Sequence, residues 1–223
     1  MSAPHVLRVF VNEEGEWGNP LAVFLDGAEV AEDRRQGIAA ELGFSETVFV
    51  DDRAGGRLRI YTPRLELPFA GHPTVGATWL LVHEGSPVEV LRPLAGEVAV
   101  RCSGEEAFVT APPEWAPPFE YRQLGSPADV RALDPSVASV NTYAWAWSDE
   151  AAGMVRARSF VPEVGIAEDE ATGSAALALC ARLARPLVIH QGHGSVLRCR
   201  PLADGTAEVG GRVRLARPTR SGR

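Results

Sequence analysis

The chain contains no lysine: all 22 of its basic residues are arginine. That absence excludes Schiff-base chemistry, a pyridoxal-phosphate anchor and a Walker A loop, each of which needs a lysine amine. Cysteine is scarce too, and Cys102, Cys180 and Cys199 are too scattered for a disulfide framework or a CxxC metal site. No apolar run reaches the ~20 residues that span a bilayer, and no basic-then-apolar leader opens the chain. A cytoplasmic protein with no membrane partner is therefore expected. The formal net charge of −7 argues against nucleic acid as a partner. The motifs GxGxxG, GxSxG and HExxH are all missing.

What is present is a phrase that occurs twice. The 223 residues, 45% hydrophobic, suit one large domain or two small ones. "VLRVFV", "NPLAVFL", "TVFVDD" and "RLRIYT" read as strands, the last two joined by a Gly-Gly turn. "VAEDRRQGIAAEL" reads as a helix ended by Gly43, and "PTVGATWLLVHEG" as a helix with proline at its first position. Arg59–Pro63 then matches Arg158–Pro162 as Arg-x-aromatic-x-Pro. "AGHPTVGATWLL" is answered by "ATGSAALALCARL", "LLVHEG" by "LVIHQG", and "VLRPLAGEVAV" by "VLRCRPLADGTAEVGGRVRL". Two similar units of roughly a hundred residues follow, residues 1–105 and 106–223, with the C-terminal strand free to return to the first unit. Both candidate central helices are hydrophobic nearly all round, as helices enclosed by sheet are. The expected fold class is α+β, two halves each wrapping strands around a helix, with the site between them. The join falls in the proline-rich Ser103–Asp129, and the tail 217–223 is expected to be disordered.

Both helix openings are glycine-rich, so backbone N–H groups can approach a ligand at the positive end of a helix. Gly71 and Gly173 also have a plainer reading, as tight turns. At an N-cap His72 would satisfy an orphan N–H less well than Ser, Thr, Asp or Asn, which suggests another role. The second copy offers Thr172, Gly173 and Ser174 there, after the acidic run Glu168–Glu170. Those acids serve the helix dipole, or Asp169 orients His72 or a substrate amine while Ser174 donates a hydrogen bond. Glu46 falls in strand register with Val48, between a turn acid and a general acid/base whose pKa burial raises. "HQGH" at 190–193 lacks a third nearby ligand, so no metal is expected.

In order, "GNPLAVFLDG", "GFSETVFV", "RIYTPRLELPFAGHPTVGATWLL", "RSFVPEVGIAEDEATGSAALAL" and a late "HQG" resemble the phenazine biosynthesis-like (PhzF-like) isomerase family over nearly the whole chain. The resemblance implies the diaminopimelate epimerase fold, no cofactor, and a homodimer. It implies Glu46 as the catalytic residue, with His72, Asp169 and Ser174 binding substrate beside Gly71, Thr172 and Gly173, and Asn19 and Gln191 in support. In related epimerases and racemases, paired cysteines at the helix openings act as bases; the matching positions here read as Ala70 and Ala171. One departure is Glu170, where the family motif has proline, which adds a charge beside the site. A second is the short second half with a poorly matched stretch at 124–147, where the substrate wall is expected. "AWAW" at 144–147 reads as a buried strand or as an apolar surface for a partner. The expected activity is proton movement on a small carboxylated metabolite by Glu46. The alternatives are an epimerase or racemase with non-thiol bases, and a metabolite-binding protein that has lost turnover.

Overall fold

The computed structural model describes residues 3–216; the expectation for the tail lies outside them. The first half runs β1 (His5–Val11), β2 (Asn19–Phe24), α1 (Glu32–Leu42), β3 (Glu46–Asp52), β4 (Arg57–Tyr61), β5 (Glu66–Leu67), α2 (Gly71–His83), β6 (Val90–Leu91), β7 (Val98–Ser103) and β8 (Glu106–Ala111). The second runs β9 (Glu120–Gln123), α3 (Pro127–Ala132), β10 (Thr142–Asp149), β11 (Met154–Val161), β12 (Ile166–Asp169), α4 (Gly173–Leu183), β13 (Leu187–Gln191), β14 (Ser195–Pro201) and β15 (Ala207–Leu215). The expected α+β class is what the chain adopts. No helix among the described residues is long and apolar enough to cross a membrane.

The halves repeat one pairing scheme. β2 lies parallel to β3 as β9 does to β10, and β3–β4 are antiparallel as β10–β11 are. β4 meets the segment after β6 through a parallel bridge, Arg57 with Arg92, as β11 runs parallel to β13. β15 joins the halves. It pairs with β14 and β8 along its first part, then returns to β1 at Val213–Leu215. Among the described residues, β1 has no strand counterpart in the second half. The prolines at 112, 113, 117 and 118 sit where one would run, and proline has no N–H for a ladder.

Each half of the continuous sheet encloses its helix. α2 is buried from Gly71 through Leu81 and α4 from Gly173 through Cys180, so neither has a solvent face over most of its length. Burying Leu80, Leu81 or Leu177 stabilises the fold by about 1.5–3 kcal/mol each. α1 instead lies outside, on a small separate core of Phe24, Phe49 and Tyr61. Gly43 ends it at φ 67°, in the left-handed region where a side chain would be strained.

Two sequence readings change, and a third is decided between its alternatives. α2 begins at Gly71, with Ala70 as N-cap, so Pro73 stands third in the helix rather than first and His72 second rather than at the cap. Pro73 is tolerated because a first-turn N–H has no intrahelical partner anyway. "LLVHEG" ends helix α2 whereas "LVIHQG" is strand β13, so that match of letters is not a structural repeat. A short apolar run fits a buried helix or a buried strand equally well. The β6–β7 hairpin accordingly corresponds to β13–β14, one hairpin earlier than the resemblance of "RPLAG" to "RPLAD" suggests. "AWAW" is core strand: Ala144, Trp145 and Ala146 are buried in β10.

Candidate active site

The first turns of α2 and α4 abut. A Cβ added at Gly71 would fall 2.7 Å from the carbonyl carbon of Gly173, and one at Gly173 would fall 2.9 Å from the amide of His72. Only glycine lets the two backbones approach this closely. Thr74 N–H bonds to the Ala70 carbonyl and Ala176 N–H to the Thr172 carbonyl, so earlier amides have no intrahelical acceptor. Among the described residues, no side chain caps either helix. Equivalent positions are therefore Ala70 and Thr172, Gly71 and Gly173, His72 and Ser174. Ala171 lies one residue before the true counterpart of Ala70.

Beside these helix starts Glu46 opens β3. Its Oε2 lies 3.3 Å from His72 Nδ1, and among the described residues neither this Oε2 nor the buried His72 Nε2 has a hydrogen-bond partner. Burial pushes the Glu46 pKa up to about 7, with the Ser45 hydroxyl pulling it down less strongly. Burial also holds the His72 pKa down to about 4, against the Asp169 carboxylate and the Pro20 carbonyl, which raise it. The imidazole is thus neutral near pH 7, and the Glu46–His72 contact is not an ion pair there.

Asp169 closes the group from the second half. Burial, then the neighbouring Glu46 charge, push its pKa up to about 6; His72, Thr172 and Asn19 oppose this. Asn19 Nδ2 donates to Asp169 Oδ1 (2.7 Å) and to the Ala171 carbonyl (3.0 Å), while Thr172 Oγ1 donates to Asp169 Oδ2 (2.6 Å). Gln191 Nε2 donates to the Asp169 carbonyl (3.0 Å) and to Thr172 Oγ1 (3.1 Å), and is itself held by the Tyr143 hydroxyl at 2.9 Å. Asp169 is therefore bonded to Asn19 and Thr172, not to His72, which corrects the expectation that it orients the imidazole directly. Glu170 is corrected as well. It turns away from the cavity to accept from the amides of His193 and Gly194 and the hydroxyl of Ser195. Among the described residues no group of three or more His, Cys, Asp or Glu is placed to hold a metal ion.

A cavity of about 200 Å³ joins Glu46, Asp169, Thr172 and Ser174, and Ala70 lines it at the α2 opening. That is below the ~300–1,000 Å³ of drug-sized sites and suits a small metabolite. Its apolar wall comes from residues the sequence reading did not single out: Phe69, Trp115, Pro117, Phe119, Val161 and Ile166. Trp115 stands edge-on to Phe69, with ring centroids 5.7 Å apart. The proline-rich connection thus supplies part of the wall, which the sequence placed in residues 124–147. Among the described residues of that stretch, only Asn141 lines the cavity. Trp115→Ala is expected to admit water, relieve the desolvation of Glu46, and move its titration down toward the ordinary carboxylate range. A pH profile of turnover in the variant checks this.

The strand registers identify Asn141. Ile60 faces Val48 and Leu67, and Ser159 faces Tyr143 and Asp169. Thr47 faces Tyr61 as Thr142 faces Phe160. One residue earlier, Asn141 is therefore the counterpart of Glu46 across the pseudo-twofold. The sequence carried a signal for it, "ETV" against "NTY".

Comparison with known proteins agrees in outline. Residues 7–134 match the family model described as phenazine biosynthesis-like protein. A trans-2,3-dihydro-3-hydroxyanthranilate isomerase of Pseudomonas aeruginosa is 33% identical over 229 residues, covering 81% of this chain and 79% of that protein. Antisense-enhancing sequence 1 of Schizosaccharomyces pombe is 42% identical over 109 residues, which are 45% of this chain. The chain's match spans only 36% of the length of that relative. A solved phenazine biosynthesis PhzC/PhzF protein from Clostridium difficile superposes with a TM-score of 0.77 at 20% identity, covering 96% of each chain, and shares the fold.

Proposed function

The chain belongs to the phenazine biosynthesis-like family, and on that premise we propose that it is an isomerase that moves one proton on a small carboxylated, unsaturated metabolite. The observation that carries this reading is a desolvated Glu46 set beside two abutting, uncapped helix N-termini. Free amides at the positive ends of two helices suit a carboxylate. Glu46, with a pKa near 7, is poised to act as both base and acid at neutral pH. Its carboxylate takes a proton from a substrate carbon. The C–H bond breaks, a Glu46 O–H bond forms, and the electron pair spreads through the double bond onto the carboxylate. That enolate-like charge is held by the amides of Gly71, Gly173 and Ser174, and each such donor contributes on the order of 10²–10³ in rate. Glu46 then returns the proton to a second carbon on the same face, and the double bond migrates. Neutral His72, beside Glu46, hydrogen-bonds substrate, while Asp169, fixed by Asn19 and Thr172, anchors a polar group. Because one group both removes and returns the proton, the step consumes no cofactor.

A two-base epimerisation is less well served, because the pseudo-twofold counterpart of Glu46 is the non-ionisable Asn141. The test uses trans-2,3-dihydro-3-hydroxyanthranilate, the substrate in the name of the Pseudomonas aeruginosa relative, in D2O. Double-bond migration with at most one solvent deuterium per turnover is expected. Inversion at a stereocentre without migration would favour an epimerase, and a ligand-stabilised protein without exchange would favour a binding protein.

A further inference from the structure

Asn141 carries a feature the proposed proton transfer leaves unused. Its side chain is 6% exposed and lines the same cavity as Glu46. Nδ2 donates to Glu163 Oε2 at 2.9 Å, which fixes the amide and leaves Oδ1 as the free end. Among the described residues Oδ1 is buried without a hydrogen-bond partner. A buried, unpaired acceptor is unfavourable, and a ligand donor would remove that cost. The amide cannot take the Glu46 role, since it does not titrate. Nor does Oδ1 suit the substrate carboxylate, because two acceptors repel.

We propose that Asn141 Oδ1 accepts a hydrogen bond from an N–H or O–H group of the substrate and so determines specificity. This rests on the reading of the cavity as a carboxylate site and adds to it the side chain that reads a second, hydrogen-donating group of the substrate. A site built around such a donor rejects analogues that lack it, because they leave the acceptor unpaired.

Calorimetric titration tests this with benzoate, which has the carboxylate alone, against anthranilate, 3-aminobenzoate and 3-hydroxybenzoate, which place a donor at neighbouring ring positions. The wild type is expected to bind at least one donor-bearing acid tenfold or more tightly than benzoate. Asn141→Leu is expected to abolish that preference while benzoate affinity stays within about twofold. Glu163→Ala leaves the cavity lining untouched but frees the amide, and is expected to weaken the same preference; it decides the matter if Asn141→Leu does not fold. A preference that survives both substitutions, or equal binding of all four acids by the wild type, overturns the assignment of Asn141 alone. Failure of the wild type to bind any of the acids overturns the carboxylate reading, and this inference with it.

Discussion

Glu46→Gln is expected to lower turnover by about 10²–10⁴-fold, the usual contribution of a positioned general acid/base, while carboxylate affinity changes little. The amide keeps the shape and cannot exchange a proton with carbon. Stability should respond in the opposite direction, and the pH dependence identifies the cause. The folded-state pKa of Glu46, about 7, lies above the ordinary 4.5. The native state therefore holds its proton more tightly than the unfolded chain between those values. Stability from this group is fully present below pH 4.5 and is lost as pH rises through 7. The side chain is only 15% exposed, so the effect is little screened by solvent. Glu46→Gln is expected to match the wild type at pH 4 and to exceed it by on the order of 3 kcal/mol at pH 8. Urea unfolding at the two pH values measures this. Equal stability of the two proteins at pH 8 would mean that Glu46 is hydrated.

Gly71→Ala and Gly173→Ala carry the second large effect. Each new methyl would meet backbone of the opposite helix start, at 2.7 Å for Gly71 and 2.9 Å for Gly173. Backbone cannot swing aside as a side-chain end can, so the two helix openings must separate. Overpacking of this kind costs about 1–3 kcal/mol or more. A functional cost should accompany the loss of stability, because the amides of both first turns would no longer converge on one anion. Benzoate affinity is expected to fall by at least about tenfold, equivalent to 1.4 kcal/mol. Gly37→Ala is the control. It lies in exposed α1 with open space around its Cβ position, so alanine should stabilise by up to about 1 kcal/mol and leave binding alone. Calorimetry and thermal melts of the three variants decide the matter, and undiminished benzoate binding by Gly71→Ala would remove the paired helix starts from the site.

Legibility in the sequence followed the reach of each physical signal. Arg59–Pro63 and Arg158–Pro162 were readable as a repeat because a strand followed by proline leaves a local pattern, and the pairs β3–β4 and β10–β11 bear it out. The all-apolar helices announced that they were enclosed. Helix starts were misplaced by two residues at His72, since Gly-His-Pro gives no side-chain cap to mark the boundary. "LLVHEG" and "LVIHQG" misled because burial makes a helix end and a strand equally apolar. Glu46, Asp169 and Ser174, which line one cavity, and His72, which stands beside Glu46, each belong to a local motif of the sequence. Asn19 and Gln191 come only with the family resemblance, and nothing local says which groups they hold. Asp169 finds Asn19 across 150 residues of chain, and Tyr143 finds Gln191 across 48, contacts that exist only once the sheet has closed. The cavity wall was hidden for the same reason: Trp115 and Phe119 sit in a proline-rich connection whose composition says only that it is not a strand.

On the proposed function, burial keeps Glu46 poised to both take and give a proton beside the two helix starts. The most direct test of this is infrared difference titration of the carboxyl stretch, wild type against Glu46→Gln. A protonated-acid band that disappears with a midpoint near pH 7 in the wild type and is absent from the variant is the predicted result. A Glu46 signal that titrates near the ordinary 4.5 would contradict the account.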